Sequence, residues 1–177
     1  MVQHAELIFK WIDRLKITDK IKNSYEFKLL FRGSCDGATG KRFHEICDGQ
    51  SNTVTIVKVQ NSNEILGGYN PIEWKSLKSR WIIENYCATK DSFIFSFKNN
   101  DKVENYVLSR VVDEDYAVYN GYNCGPSGPS FGKSDLDIWG SPGIMCHCRK
   151  CSYEKPIRET EDKFLIEEFK VFQIVKN

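Results

Sequence analysis

Residues Cys146, His147, Cys148 and Cys151 place four soft ligands within six positions, with Arg149 and Lys150 among them. Thiolate and imidazole are groups that zinc prefers, and Cys148 and Cys151 stand at the C-x-x-C spacing of a ligand pair. A structural zinc site needs a second pair to close its tetrahedron. In an extended segment, Cys146, His147 and Cys148 cannot all turn inward, so that pair would have to join Cys146 to Cys124 or to a more distant residue. The expectation is no bound metal and no cofactor. The same thiols admit redox chemistry, because Arg149, Lys150, Lys155 and Arg158 would favour the nucleophilic thiolate. Exposure decides between reactive and inert thiols, and both readings of Cys146, Cys148 and Cys151 stay open. Cys35 and Cys47 are read as packing residues.

Hydrolysis would draw on His44 with Asp36 or Asp48 and on a serine such as Ser34 or Ser130. The chain holds no G-x-S-x-G elbow, and His44 beside Phe43 on a short helix reads as a structural histidine. Residues Glu154, Glu159, Glu161, Asp162, Glu167 and Glu168 read as a solvated charged face rather than as an acid/base pair. Gly132-Lys133-Ser134 has the last letters of a phosphate loop, but the position five before Gly132 is Ser127 instead of glycine. Nucleophile, base and oxyanion donor do not occur as an ordered set, so the expectation is a protein that binds rather than turns over substrate.

The elements that must position these residues are short. A chain of 177 residues suits one domain and buries roughly 70% of its unfolded surface. Hydrophobic residues make up 41% and charged residues 28%, with a net charge of +1, which indicates an ordered globular protein and argues against a nucleic-acid partner. The first fifteen residues mix His4, Glu6, Lys10, Asp13 and Arg14 with apolar ones, unlike a secretory signal. An 18-residue apolar run is also lacking, so no transmembrane segment is expected. Seven cysteines without a glycosylation sequon suit reduced thiols in the cytoplasm.

Ala5, Ile8, Trp11, Ile12 and Leu15 recur at helical spacing and form one apolar stripe in search of a surface to cover. Residues 1–24 are read as this helix and a linker, and residues 25–177 as the domain proper. Tyr25, Phe27, Leu29 and Phe31 alternate as in a strand. Residues 53–59 are nearly all β-branched and suit a central strand. Residues 65–69 follow a polar turn at Asn61-Ser62-Asn63, which predicts a hairpin. Gly67 and Gly68 within that strand imply either the close approach of a ring or backbone, or a bulge. In residues 92–97, Phe93, Phe95 and Phe97 fall on one face. Asn99-Asn100-Asp101 supplies a turn, and residues 106–111, 116–119, 136–139 and 169–175 give further strands. Residues 121–129 read as a long loop in which Gly125-Pro126-Ser127 is repeated as Gly128-Pro129-Ser130. About eight short strands with few helices predict an α+β, mainly β chain: a two-sheet antiparallel β-sandwich flanked by short helices.

Four phrases in fixed order, LLFRGSCDG (residues 29–37), ILGGY (65–69), GPSFG (128–132) and FLIEEFKVFQI (164–174), resemble those of the TLDc domain family. Arg32, Gly33, Ser34, Asp36 and Gly37 match the family's first motif, ahead of a short helix at residues 43–48. Gly67, Gly68, Tyr69, Phe131, Gly132, Asp135 and Phe172 are the corresponding motif or structural candidates in the later phrases. Ala38 stands where the family commonly has an aromatic residue, and Lys170 where it usually has Glu. The resemblance implies a β-sandwich that acts as a non-enzymatic interaction module linked to oxidative-stress resistance. It also implies subunits of the vacuolar-type proton ATPase as first candidate partners, and a peripheral position at vacuolar or endolysosomal membranes through them. BTB/TLDc proteins carry a similar helix before the first phrase. The alternatives are thus a cysteine-based redox protein and the recognition half of a BTB ubiquitin-ligase adaptor.

Overall fold

A computed structural model describes residues 2–76, 85–98, 105–120, 127–140 and 144–177. The chain begins with helix α1 (Val2–Ile12), which buries Leu7, Ile8 and Trp11. Leu15, expected on the same stripe, lies beyond the helix end. There Arg14 adopts φ 55°, while the Leu15 N–H bonds to the Lys10 carbonyl and the Arg14 N–H to that of Trp11. These are the two bonds of a left-handed helix stop, here formed without glycine. The Arg14 guanidinium is held by the Lys90 carbonyl and Asp91.

Strand β1 (Tyr25–Arg32) leads through a one-turn helix α2 (Gly33–Asp36) to α3 (Gly40–Cys47). A hairpin of β2 (Thr53–Val59) and β3 (Ile65–Asn70) follows, as the β-branched run and polar turn predict. The remaining strands are β4 (Tyr86–Cys87), β5 (Phe93–Phe97), β6 (Val107–Arg110), β7 (Val118–Tyr119), β8 (Ser127–Phe131), β9 (Leu136–Gly140), β10 (Ile144–His147) and β11 (Phe164–Lys176). Side chains alternate across the pleat, so Phe93, Phe95 and Phe97 share the face that α1 covers. Their ring centroids lie 6.1, 5.7 and 5.6 Å from that of Trp11.

Pairing is antiparallel throughout the named strands, and the architecture is mainly β with short helices. Hydrogen bonds do not divide it into two separate sheets. One path runs β4-β7-β8-β9-β10-β11-β2-β3-β5-β6, and β1 joins on β11. The 13-residue β11 is shared: β2 follows one edge, while the other edge belongs first to β10 and then, from Lys170 onward, to β1. The two arms of the path meet across the core, where Phe131 of β8 lies against Gly68 of β3 and Trp74 packs edge-on against Phe131 and Phe43.

One loop expectation is corrected. Ser127, Gly128 and Pro129 belong to β8, and the register slips between Ser127 and Ser130. A proline without an N–H is tolerated in a strand at such an irregularity. Cys146 and His147 lie in β10. The turn at Asn99-Asn100-Asp101, the first Gly125-Pro126 copy and Cys124 fall outside the described residues.

Candidate functional site

The first motif builds a turn. The Arg32 N–H donates to Asp36 Oδ2 at 2.7 Å, and the Gly37 N–H bonds to the Gly33 carbonyl, with Gly37 at φ 89°, where a side chain is strained. Arg42 Nε donates to the Asp36 carbonyl, and Thr39 caps α3 by accepting the Arg42 N–H. Gly33 is small for a reason: a Cβ there would lie 3.1 Å from the Phe169 ring.

Glu168 holds this turn to β11 instead of standing on a solvated face with its acidic neighbours. Its carboxylate accepts from the Ser34 N–H at 3.0 Å, from the Ser34 hydroxyl and from Arg32 Nε at 3.0 Å. Its side chain is only 15% exposed. Burial works against the charge, but the bonds from Ser34 and Arg32 outweigh it and carry the pKa below the usual carboxylate value. A depressed folded pKa gives stability that is present above the unfolded value of about 4.3 and is lost as pH falls toward the folded one. Glu168→Gln should therefore cost about 1 kcal/mol at neutral pH and flatten the acid limb of the stability profile below about pH 5. Chemical denaturation from pH 3 to 7 measures both effects.

A groove of about 400 Å³ opens beside the turn, lined by Arg32, Ser34, Ile56, Lys58, Glu167 and Lys170 as well as Glu168. Next to it lies an apolar recess of about 280 Å³, with Ala5, Ile8, Phe27, Phe97 and Phe172 in its walls. Ile56 and Lys170 belong to both.

The other motif residues serve the core. A Cβ at Gly67 would fall 2.4 Å from both the Phe95 ring and the Thr55 carbonyl, and one at Gly68 would fall 2.6 Å from the Phe131 ring. Tyr69 stacks on Phe93 and donates its hydroxyl hydrogen to Asn52. Gly132, at φ 67°, leaves room for Asp135, whose Oδ2 would lie 2.0 Å from a Cβ there. Buried Asp135 accepts the N–H groups of Cys151, Ser152 and Tyr153 at 2.8, 2.8 and 3.0 Å. Burial raises its pKa while these three bonds pull the other way. The segment so clamped carries Tyr153, which is fully buried and donates to the Ala117 carbonyl. Phe172 is half-buried, edge-on to Phe27.

Cys146 and Cys148 are buried and Cys151 is half-buried. Burial, reinforced by Cys148, pushes the Cys146 thiol well above its ordinary value, which is opposite to the expected activation by basic neighbours. Arg158 is engaged elsewhere, with Glu64 at 3.1 Å and over the Phe164 ring. Cys35 is exposed rather than packed, whereas Cys47 is buried, with its pKa pushed by that burial to about 12. Among the described residues, no group of three or more His, Cys, Asp or Glu side chains could hold a metal ion.

The structure brings together one pair of the triad candidates, His44 and Asp48, while Asp36, Ser34 and Ser130 have other partners. His44 Nδ1 bonds to Asp48 at 2.8 Å, and its buried Nε2 has no partner, so the side chain is only half satisfied. Asp36 is taken by Arg32, Ser34 by Glu168, and Ser130 by the Gly128 carbonyl. The Lys133 ammonium sits over the Tyr116 ring at 3.2 Å.

No helix among the described residues is long and apolar enough to cross a membrane. Comparison with curated protein sequences gave no significant match. The TLDc domain, in contrast, matches residues 4–175, from within α1 to near the end of β11. With nearly the whole chain covered, and with the motif residues building the turn, the glycine contacts and the aspartate clamp, the chain belongs to the TLDc domain family.

Proposed function

We propose that this protein is a non-enzymatic interaction module, with subunits of the vacuolar-type proton ATPase as first candidate partners and oxidative-stress resistance as the associated role. The observation that carries the reading is how the motif's polar groups are used. Buried Asp135 clamps residues 151–153, while Arg32, Ser34 and Asp36 bond within and around the motif turn, so the last three shape a surface rather than poise a reaction. That surface is the recessed groove beside the motif turn.

Copurification from the source cells, with stoichiometry measured, tests the proposal. Wild type should retain a proton-ATPase subunit. A Cys146→Ala, Cys148→Ala, Cys151→Ala variant should retain it equally; alanine is chosen because two of the three sites are buried. Asp36→Ala, which frees the Arg32 N–H, should weaken capture while the melting curve stays cooperative. Catalytic peroxide consumption by wild type, abolished in the triple variant, would replace this reading with a redox one.

A further inference from the structure

We infer that the groove and the adjoining recess take an acidic amphipathic segment of a protein partner, with an apolar side chain entering beside Phe172 and carboxylates engaging Lys170 and Lys58. The inference rests on the interaction-module reading and specifies the chemistry of the partner. Strand register carries it. Lys170 stands opposite Arg32 on one side and Ile56 on the other, and Lys58 stands opposite Glu168. Like charges placed directly opposite, as Arg32 and Lys170 are, destabilise a sheet, and of the two only Arg32 has an ion-pair partner among the described residues, Glu168.

Glu168 is already occupied by Arg32 and Ser34. Lys58 donates to the neutral Ser62 carbonyl. Among the described residues Lys170 makes no ion pair, and Glu167, the other carboxylate at the rim, pairs with neither lysine. Lys58 thus lines the groove, and Lys170 stands where the groove meets the recess, whose other walls are apolar apart from His4, an arrangement complementary to carboxylates flanking a large apolar side chain. The apolar row continues outward through Leu29, which is 50% exposed and pairs with Phe172. An elongated, open site of this kind suits an amphipathic chain, whereas small ligands favour enclosed pockets.

A displayed library of random dodecapeptides, selected on folded wild-type protein, tests the assignment. The selected consensus should combine Asp or Glu with Leu, Ile or Phe. A synthetic consensus peptide should bind Lys170→Glu at least about tenfold more weakly than wild type, and a version with Lys in place of its Glu should regain binding to that variant. Lys58→Gln should weaken binding less. No enrichment, a consensus without acidic residues, or equal affinity for Lys170→Glu would each overturn the inference. So would phosphatidylserine vesicles that bind through Lys170 when the peptide does not. If wild type captures no cellular partner and yet binds the peptide through Lys170, the proposed function fails and this assignment stands.

Discussion

Gly68→Val should lower the stability of the domain by about 3 kcal/mol, a fall in melting temperature of roughly 6 to 12 °C for a chain of this size. The new side chain must enter where its first carbon would already lie 2.6 to 2.8 Å from three atoms of the Phe131 ring. That ring cannot swing aside, because it is fully buried and packed edge-on to Trp74. Either β3 and β8 move apart or the ring leaves its rotamer, and close-packed interiors resist both. Removing the obstacle should partly rescue: Gly68→Val in a Phe131→Ala background should cost less than it does alone, as coupled neighbours do. Denaturant midpoints of the four proteins measure this. Strictly additive effects would show that ring and glycine do not meet.

For Asp135→Ala the expected loss is also large, about 3 to 5 kcal/mol. Three backbone N–H groups converge on this buried carboxylate, and buried donors left without an acceptor cost about 1 to 3 kcal/mol each, less when the segment can move out to water. Asp135→Asn keeps one acceptor oxygen and should lose roughly half as much. Amide exchange separates this from general weakening: protection at Cys151, Ser152 and Tyr153 should fall by more than protection in β2 and β3. Unchanged exchange at those three amides would refute the clamp.

The parts of the fold legible in sequence are those whose pattern is local. Residues 53–59 announce a strand by β-branching, and Phe93, Phe95 and Phe97 alternate cleanly against Ile94 and Ser96. The stripe of α1 is visible as well, although Leu15 extends it past a stop that a non-glycine residue makes. Strand β11 is legible only from residue 169, because a register shift between Ile166 and Glu168 breaks the period of two just where the strand begins. The four residues of β10 are too few, and too rich in cysteine and histidine, to display a period. In the site, Arg32 to Gly37 could be matched as a motif, yet Glu168 could not be told from its acidic neighbours. Its partners stand 134 and 136 residues earlier, and no spacing rule reaches that far. Asp135 was matched as a letter, while its role depends on backbone N–H groups, which leave no mark in a sequence.

Sharing β11 among β1, β2 and β10 has a consequence for how the molecule comes into being. Among the described residues strand β1 pairs with no strand except β11, so Phe27, Leu29 and Phe31 must wait through more than a hundred residues of synthesis before that partner exists. The motif turn waits with them, since Glu168 anchors it. Loop closure over such a separation is slow, and in the interval an apolar strand stands open to other chains. Assembly of the groove is thereby tied to completion of the whole domain, and a truncated or stalled chain would offer chaperones an unpaired β1 instead of presenting partners with a half-formed docking surface.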